Sequence, residues 1–499
     1  MYCENNASRI RREIMIRLAK AFAQEDPSQA VARIPLEMRP RDEGVSRCCI
    51  HKDRAIIRAR LIAMLGFDIA QDDEVTPLGE YVKQAAQRSA APTPGLRVNC
   101  DACSGCIQTS YQVTNACRGC LARPCATNCP KGAISFVDGR ASIDPDKCVN
   151  CGLCQRVCPY QAVIRVPIPC EEACPVGAIA RDERGLHSIN AEKCIMCGQC
   201  VRACPFGAVF PCSQLSDVLR ALKGPRPVVA LVAPAIAGQL PGSLQQVAGA
   251  LQELGFAATM PVAYGADVTA AHEAQELQAA MESGRGFLTS SCCPAWVETV
   301  RKHLPALAEH VSETPSPLHY TAAMARELMP DACTVFIGPC LAKMAEAAPD
   351  QLVDYVLTFE EIGAVLVAHG VDVADCEPVD LAQAASGEGW AFATTGGVAG
   401  ALRQACPNLA ESDCLVINGL DDATMKMLRR AGEGDCPARF VEVMACHEGC
   451  VGGPGVVVSP KAAVRRLTAV VASPPKAAST NETNGQQEQA QPGEVSGAA

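Results

Sequence analysis

Large side chains are the first thing in short supply. Aromatics make up 4% of the 499 residues, only two of them tryptophan, while glycine and proline number 39 and 35. Bulky rings cannot account for the compaction of such a loop-rich chain, and metal centres are one alternative source of cohesion. Excess positive charge is also lacking. A formal net charge of −10 excludes nucleic acid and anionic membrane surfaces as principal partners. Long hydrophobic runs are missing too: the longest, near "VVALVAPAIAG", is too short to span a bilayer, and the opening "MYCENNASRIRREIMIRLAKAFAQED" has no signal-type apolar core. The expectation is a cytoplasmic protein without membrane insertion. What the chain does have is cysteine, 31 residues of it. In a reducing compartment that many thiols read as metal ligands rather than disulfides.

The length leaves room for several domains. Residues 1–95 alternate basic and apolar residues at helical spacing ("REIMIRLAKAF", "RAIIRARLIAMLGF") and are expected to be helical. A cysteine pair there, Cys48 and Cys49, reads as buried at a helix start. From about 220 to 470, helix-like segments alternate with short apolar runs ("VVALVAPAIA", "ACTVFIGPC", "DCLVIN"), the pattern of an α/β domain. Residues 471–499 are polar and are expected to be a disordered tail.

Between these regions the sequence repeats itself. "CPKGAI" from Cys129, "CPYQAV" from Cys158, "CPVGAI" from Cys174 and "CPFGAV" from Cys204 are four copies of one pattern, a sign of duplicated small units. Spaced cysteines stand ahead of three of them. In the ferredoxin spacing Cys-x2-Cys-x2-Cys-x3-Cys-Pro, three thiolates from one loop grip a 4Fe-4S cubane and the fourth reaches the other cluster of a pair. By that crossing rule residues 96–165 form an α+β bacterial ferredoxin-like domain. One cluster takes Cys117, Cys120, Cys125 and Cys158, and the other Cys148, Cys151, Cys154 and Cys129. The first loop is a variant, with four residues rather than two between Cys120 and Cys125. Residues 166–215 read as a second, incomplete unit, with Cys174, Cys194, Cys197 and Cys200 making a third cluster. Cys204 is left without obvious partners, and the roles of Cys100, Cys103, Cys106, Cys170 and Cys212 stay open. "CDACSGC" could complete a fourth cluster, bind zinc, or bind nothing. Structural zinc also likes Cys-x2-Cys pairs, but it does not need the trailing Cys-Pro. Several clusters in line imply electron transfer toward chemistry in the C-terminal domain.

Three segments of that domain belong together: "TSSCCPAW" (289–296), "IGPCLAKMAE" (337–346) and "EVMACHEGCVGGPG" (442–455). Singly, each cysteine would be a small buried apolar residue. As a set they resemble the three signature segments of the iron-only (FeFe) hydrogenases, and "VAPAIA", "ADVTAAHEAQEL", "ATTGGVAGALRQA" and "VING" fall in that family's order. The "RCC" pair and "NACRGCLARPCATNCPKGAI" look most like its group B branch.

The resemblance implies an iron-only hydrogenase large-subunit fold holding an H-cluster: a 4Fe-4S cubane joined by one cysteine to a diiron unit bearing carbon monoxide, cyanide and a bridging dithiolate amine. Three or four N-terminal clusters would feed it. Cys293, Cys340, Cys446 and Cys450 match the cubane ligands, with Cys450 as the bridge. Cys446 and Cys450, four apart, could share one face of a helical turn. Cys292 matches the residue that hands protons to the amine, which explains two adjacent thiols that cannot easily bridge each other. Lys343 matches the lysine facing a cyanide, Met444 the methionine over the diiron unit, and Ala233 and Pro234 a segment against the other cyanide. Glu273 and Glu276 match relay carboxylates, although a solvated acidic helix face would look the same. Gly338 replaces a common methionine, Ala235 a common serine, and the relay serine near "VSETPSP" is replaced by Glu313 on this reading. The implied reaction is reversible reduction of protons to dihydrogen with electrons from ferredoxin, the diiron unit being built by hydrogenase maturation proteins. The alternative is a non-catalytic relative: an electron carrier, an assembly scaffold or a hydrogen sensor.

Overall fold

The structure, a computed structural model, describes residues 5–41, 48–103, 110–181 and 186–476. Cys106 and the expected tail from 477 onward lie outside the described residues. Four helices, Asn6–Phe22, Pro27–Met38, Ile50–Met64 and Leu78–Gln87, form the N-terminal region as expected. They are not a free appendage: Arg11 donates twice to Glu360, both at 2.8 Å, so the first helix is clamped to the C-terminal domain. The Cys48–Cys49 pair does open the 50–64 helix, with Cys49 Sγ accepting from the Lys52 amide at 3.5 Å. It is not buried, however; Cys48 is exposed and Cys49 half-buried.

The ferredoxin-like region corrects the boundaries read from sequence. Strand Leu96–Val98 pairs antiparallel with Val209–Pro211, whereas Tyr111–Val113 pairs with Val163–Arg165. Each pair closes its own unit, and each unit has its own hairpin, Ile134–Val137 with Arg140–Ile143 and Ile179–Arg181 with His187–Ile189. Residues 96–103 therefore belong to the second unit, which is complete, and the first is an insertion of about 110–166 inside it. Spacing could not show this, because the strands that close the second unit stand more than a hundred residues apart in sequence.

The C-terminal domain holds two parallel sheets. One runs, in spatial order, Ala258–Pro261, Val228–Val232, Cys333–Gly338 and Tyr355–Thr358. The other runs Leu288–Thr289, Phe440–Met444 and Cys414–Asn418. Strands 228–232 and 333–338 are buried along their whole length, which is why they read as continuous apolar runs rather than alternating ones. The last helix, Pro460–Ala472, continues two residues into what was read as tail.

Candidate functional site

The three cysteine-bearing segments and "VAPAIA" each emerge at the carboxyl end of a parallel strand, where open α/β sheets place their sites. Val232 runs opposite Ile337, and the Ala233 amide donates to the Ile337 carbonyl at 2.9 Å. That pairing brings Ala233 and Pro234 alongside Pro339 and Cys340. In the other sheet Thr289 runs opposite Val441, and the Ser290 hydroxyl accepts from the Val443 amide at 3.1 Å. Cys292 and Cys293 are thereby held beside Met444, Ala445 and Cys446.

The two sheet ends face one cavity of about 90 Å³. Its lining includes Cys292, Cys293, Cys340, Cys446 and Cys450 together with Ala233, Pro234, Lys343 and Met444. The five cysteines are only half-buried because they face this cavity. Cys446 and Cys450 do not share a helix. Cys446 follows the 440–444 strand in a bend and Cys450 sits in the short 3-10 turn Gly449–Gly452. Gly449 has φ +75°, and a Cβ there would lie 2.8 Å from the backbone of Thr394 and Thr395, so the turn closes where only glycine fits.

Burial pushes the thiols of Cys340 and Cys450 up to about 12, and those of Cys292 and Cys446 well above the ordinary range. Such a crowd of buried sulfurs can be ionised only beside a compensating positive charge, which iron supplies. The donor set thus fits an iron-sulfur group. Lys343 adds to this. Burial disfavours its charge, but Glu346 at 2.5 Å, with Cys340 and Cys292 nearby, outweighs burial and holds the ammonium above its usual pKa. Its Nζ also donates to Ser316 Oγ at 2.9 Å.

A polar chain leads outward from Cys292. Glu273 and Glu276 both lie on the helix Val262–Glu282. Glu273 is fully buried, accepts from the Ser291 amide at 3.1 Å through Oε1, and leaves Oε2 without a hydrogen-bond partner. Burial raises its pKa to about 7. Ser312 donates to Glu276 Oε2 at 2.6 Å and lies close enough to Glu273 to oppose slightly the rise in its pKa. Glu276 is 20% exposed and faces Arg285 at 3.6 Å. The side chain that lies near both carboxylates is thus Ser312, whereas Glu313 contributes only its backbone amide to Glu276 at 3.0 Å. A lone serine in "VSETPSP" carries no signal of that role; Ser291 and Arg285 were missed for the same reason.

The departure at Gly338 has a physical counterpart. A Cβ there would lie 2.3 Å from Phe336 Cζ, so the Phe336 ring, which lines the cavity, fills the space that a side chain at 338 would occupy.

Three further cavities match the cysteine sets. One is lined by Cys117, Cys120, Cys125 and Cys158, one by Cys129, Cys148, Cys151 and Cys154, and one by Cys174, Cys194, Cys197 and Cys200. Among the described residues no three His, Cys, Asp or Glu side chains gather closely enough to share a single ion; the cysteines instead surround spaces, as cluster ligands must. Cys204 does have partners. Burial raises the Cys103 thiol, with a contact from His187 opposing and Cys204 and Cys100 adding to the rise. Cys204 and Cys100 thus lie in the neighbourhood of Cys103. Cys197 lines both the cavity of Cys174, Cys194 and Cys200 and the larger cavity of Cys293 and Cys340. At that junction Gly198 (φ +72°) lies so close to Pro454 that a Cβ would come within 2.8 Å, and Lys302 Nζ donates to the Cys194 carbonyl at 2.6 Å.

Ferredoxin-like units abutting a sulfur-lined cavity at the ends of two parallel sheets define an iron-sulfur protein. Comparison with known proteins narrows the class. Residues 226–454 match the family "Iron only hydrogenase large subunit, C-terminal domain", residues 116–162 a 4Fe-4S dicluster domain and residues 187–210 a 4Fe-4S binding domain. The chain is 30% identical over 378 residues to the periplasmic [Fe] hydrogenase large subunit of Nitratidesulfovibrio vulgaris, covering 64% of this chain and 86% of that one. It is 28% identical over 393 residues to iron hydrogenase 1 of Clostridium pasteurianum, covering 65% and 67%. A cytosolic iron-sulfur assembly component 3 from Pongo abelii is 28% identical over 232 residues, covering 36% and 49%. The chain belongs to the iron-only hydrogenase family. Among the described residues no helix is long and apolar enough to cross a membrane.

Proposed function

We propose that the protein interconverts protons plus electrons and dihydrogen at an H-cluster in the sulfur-lined cavity. Cys293, Cys340, Cys446 and Cys450 would hold the cubane, Cys450 would bridge to the diiron unit, and the bound group would supply an open iron site for hydrogen chemistry. The observation that carries this reading is the fifth thiol: Cys292 lines the same cavity and sits at the inner end of the Glu273–Ser312–Glu276 chain, which a scaffold holding only a cubane has no use for.

The protein's own part is to hold, dry and supply. Lys343 would orient an anionic ligand in the cavity, with Ser316 and Glu346 fixing its ammonium. Met444, Ala233 and Pro234 would exclude water. A proton would enter at Glu276, pass by Ser312 to Glu273, and reach Cys292, which gives it up inside the cavity. Glu273 suits such transfer, since a carboxyl ionising near 7 exchanges protons readily at neutral pH. Electrons would come from a ferredoxin through the N-terminal clusters, Cys197 separating the last of these from the cavity. Cys100, Cys103 and Cys204 would contribute to a fourth.

The test is an anaerobic infrared spectrum after maturation by hydrogenase maturation proteins, beside a known hydrogenase matured identically. Metal-bound carbon monoxide and cyanide bands that shift under hydrogen are expected. A silent spectrum beside a working control would overturn the reading and leave an electron carrier or assembly scaffold.

A further inference from the structure

The insertion at 110–166 differs from the rest of the molecule in charge. It carries seven lysines and arginines against three aspartates, a net +4 in a chain whose total is −10. All seven basic residues, Arg118, Arg123, Lys131, Arg140, Lys147, Arg156 and Arg165, are exposed. Lys147 pairs with Asp144 and Arg165 with Glu172, but among the described residues no carboxylate pairs with Arg118, Lys131, Arg140 or Arg156. The insertion also breaks the usual rule for large apolar side chains. Leu121 is 99% exposed and Tyr160 51%, with Val137, Val149 and Ile164 also on its surface.

These features converge on one cluster. Leu121 and Arg123 lie in the four-residue loop between Cys120 and Cys125, the departure from ferredoxin spacing that the catalytic reading leaves unexplained. The loop bearing Arg118 is tied to the hairpin bearing Arg140: a Cβ at Gly119 would lie 1.9 Å from the Gly139 carbonyl oxygen, and the Ala141 amide donates to Cys117 Sγ at 3.5 Å. The Arg123 guanidinium lies 4.0 Å above the Phe136 ring, which holds its charge beside the same loop. Arg118 and Tyr160 line the cavity of Cys117, Cys120, Cys125 and Cys158 itself. An exposed leucine next to Cys120, with unpaired arginines on the same loop and on the hairpin tied to it, beside a cluster site, has the makeup of a transient electron-transfer interface: a small apolar centre for contact and charge for steering. Asp138, in the hairpin turn, is the acidic residue next to this patch.

We propose that the Leu121 loop, with Arg118, Arg123 and Arg140, is the docking surface for a small acidic electron-carrier protein of the ferredoxin type. The proposal rests on the electron-relay part of the reading above, but not on hydrogen chemistry. The step is balanced simply: one electron leaves the reduced centre of the carrier and one enters the oxidised cubane of Cys117, Cys120, Cys125 and Cys158, with no bond made and no proton moved. A nucleic acid would also answer to the positive charge, but it gives no reason for the patch to sit on a cluster loop.

The test uses the full chain with its N-terminal clusters loaded, and an acidic two-iron ferredoxin as probe. Binding is read by calorimetry with the gallium-substituted, redox-inactive probe, and electron entry by stopped-flow bleaching of the clusters with the photoreduced probe. Neither readout involves hydrogen, so a protein silent in the infrared test could still pass this one. Arg118→Glu/Arg140→Glu is expected to weaken binding about tenfold or more at low salt and to flatten the salt dependence. Leu121→Asp, at a side chain that touches nothing whose loss could unfold the domain, should slow bleaching several-fold while iron content and reduction by dithionite stay normal. Lys426→Glu, an exposed lysine on the catalytic domain, should change neither. Binding that ignores salt and all three substitutions, or that Lys426→Glu weakens equally, would overturn the proposal, as would a plain DNA duplex binding as tightly as the ferredoxin probe.

Discussion

A thiol that faces the cavity and a buried carboxyl, Cys292 and Glu273, sit at the inner end of a polar chain whose outer end is wet. Replacing Cys292 by serine removes a group that can both take and release a proton, since a hydroxyl is a far weaker acid. Cys292→Ser is therefore expected to keep its iron and lose at least about a hundredfold in hydrogen turnover, the scale of a lost general acid. Ser312→Ala should cost roughly tenfold or more on the same scale, whereas Glu313→Gln should be close to silent, because only the backbone of Glu313 reaches Glu276. Turnover assays of the matured variants decide this, and a severe Glu313→Gln defect beside a normal Ser312→Ala would reverse the assignment. Glu273 makes a separate prediction about pH. Its carboxyl ionises near 7 in the fold against an ordinary 4.5, so between those values the unfolded chain gives up a proton that the folded chain keeps. Stability should fall as pH rises through that window and level off above 7, by roughly 3–4 kcal/mol in all at about 1.4 kcal/mol per pKa unit. Denaturant titrations of the wild type should show this slope and those of Glu273→Gln should lack it; parallel curves would mean that Glu273 is already ionised at low pH.

Strand ends and short turns, rather than helices, do the positioning. The 333–338 strand shows how a local departure is compensated, with Phe336 and Gly338 on one face and the ring lying where a residue-338 side chain would go. Gly338→Met alone should destabilise the domain by about 1–3 kcal/mol through overpacking, and Phe336→Ala alone should leave a cavity costing about 3–5 kcal/mol. The double variant should cost less than the sum. Additive losses in a denaturant double-mutant cycle would show that the two positions do not compete for space. The same contrast between local and distant determinants explains what could be read without coordinates. Cysteine sets were legible because a cubane imposes its spacing on a single loop, and three sets recur as lined cavities. The buried strands were legible as apolar runs. The partner of strand 96–98 was not, because three residues carry no register information and their partner lies beyond an entire inserted unit. The turn that presents Cys446 and Cys450 was misread because an i, i+4 spacing suits a helix, while Glu448 and Gly449 adopt positive φ and break it. Ser312 was passed over because a hydroxyl becomes a bridge only through what packs on either side of it.

Across the whole molecule the apolar core is unevenly shared, and this bears on what iron does for stability. The main core runs from the N-terminal helices through the second ferredoxin-like unit to the last helix, and includes Leu18, Leu61, Ile195, Val209, Phe256, Trp296 and Leu467. No residue of the 110–166 insertion belongs to it. The buried residues of the insertion are few and mostly small, among them Ala133, Ala141, Ala162 and Val163 around Cys125 and Tyr111, and its strands are three or four residues long. So little buried area cannot offset the entropy of ordering the segment, so its fold depends on the two clusters its eight cysteines are arranged to hold. Chelation of iron under reducing conditions is therefore expected to release amide protection throughout 110–166 first. The second unit, anchored on the main core through Ile168, Ile195, Val201 and Val209, should loosen less, and strands 228–232 and 333–338 should keep protection near that of the loaded protein. Hydrogen exchange read by mass spectrometry before and after chelation distinguishes the cases. An insertion as protected in the stripped chain as in the loaded one would mean that its few apolar residues suffice, and a uniform loss across all regions would mean that the catalytic core, too, is held together by its metal.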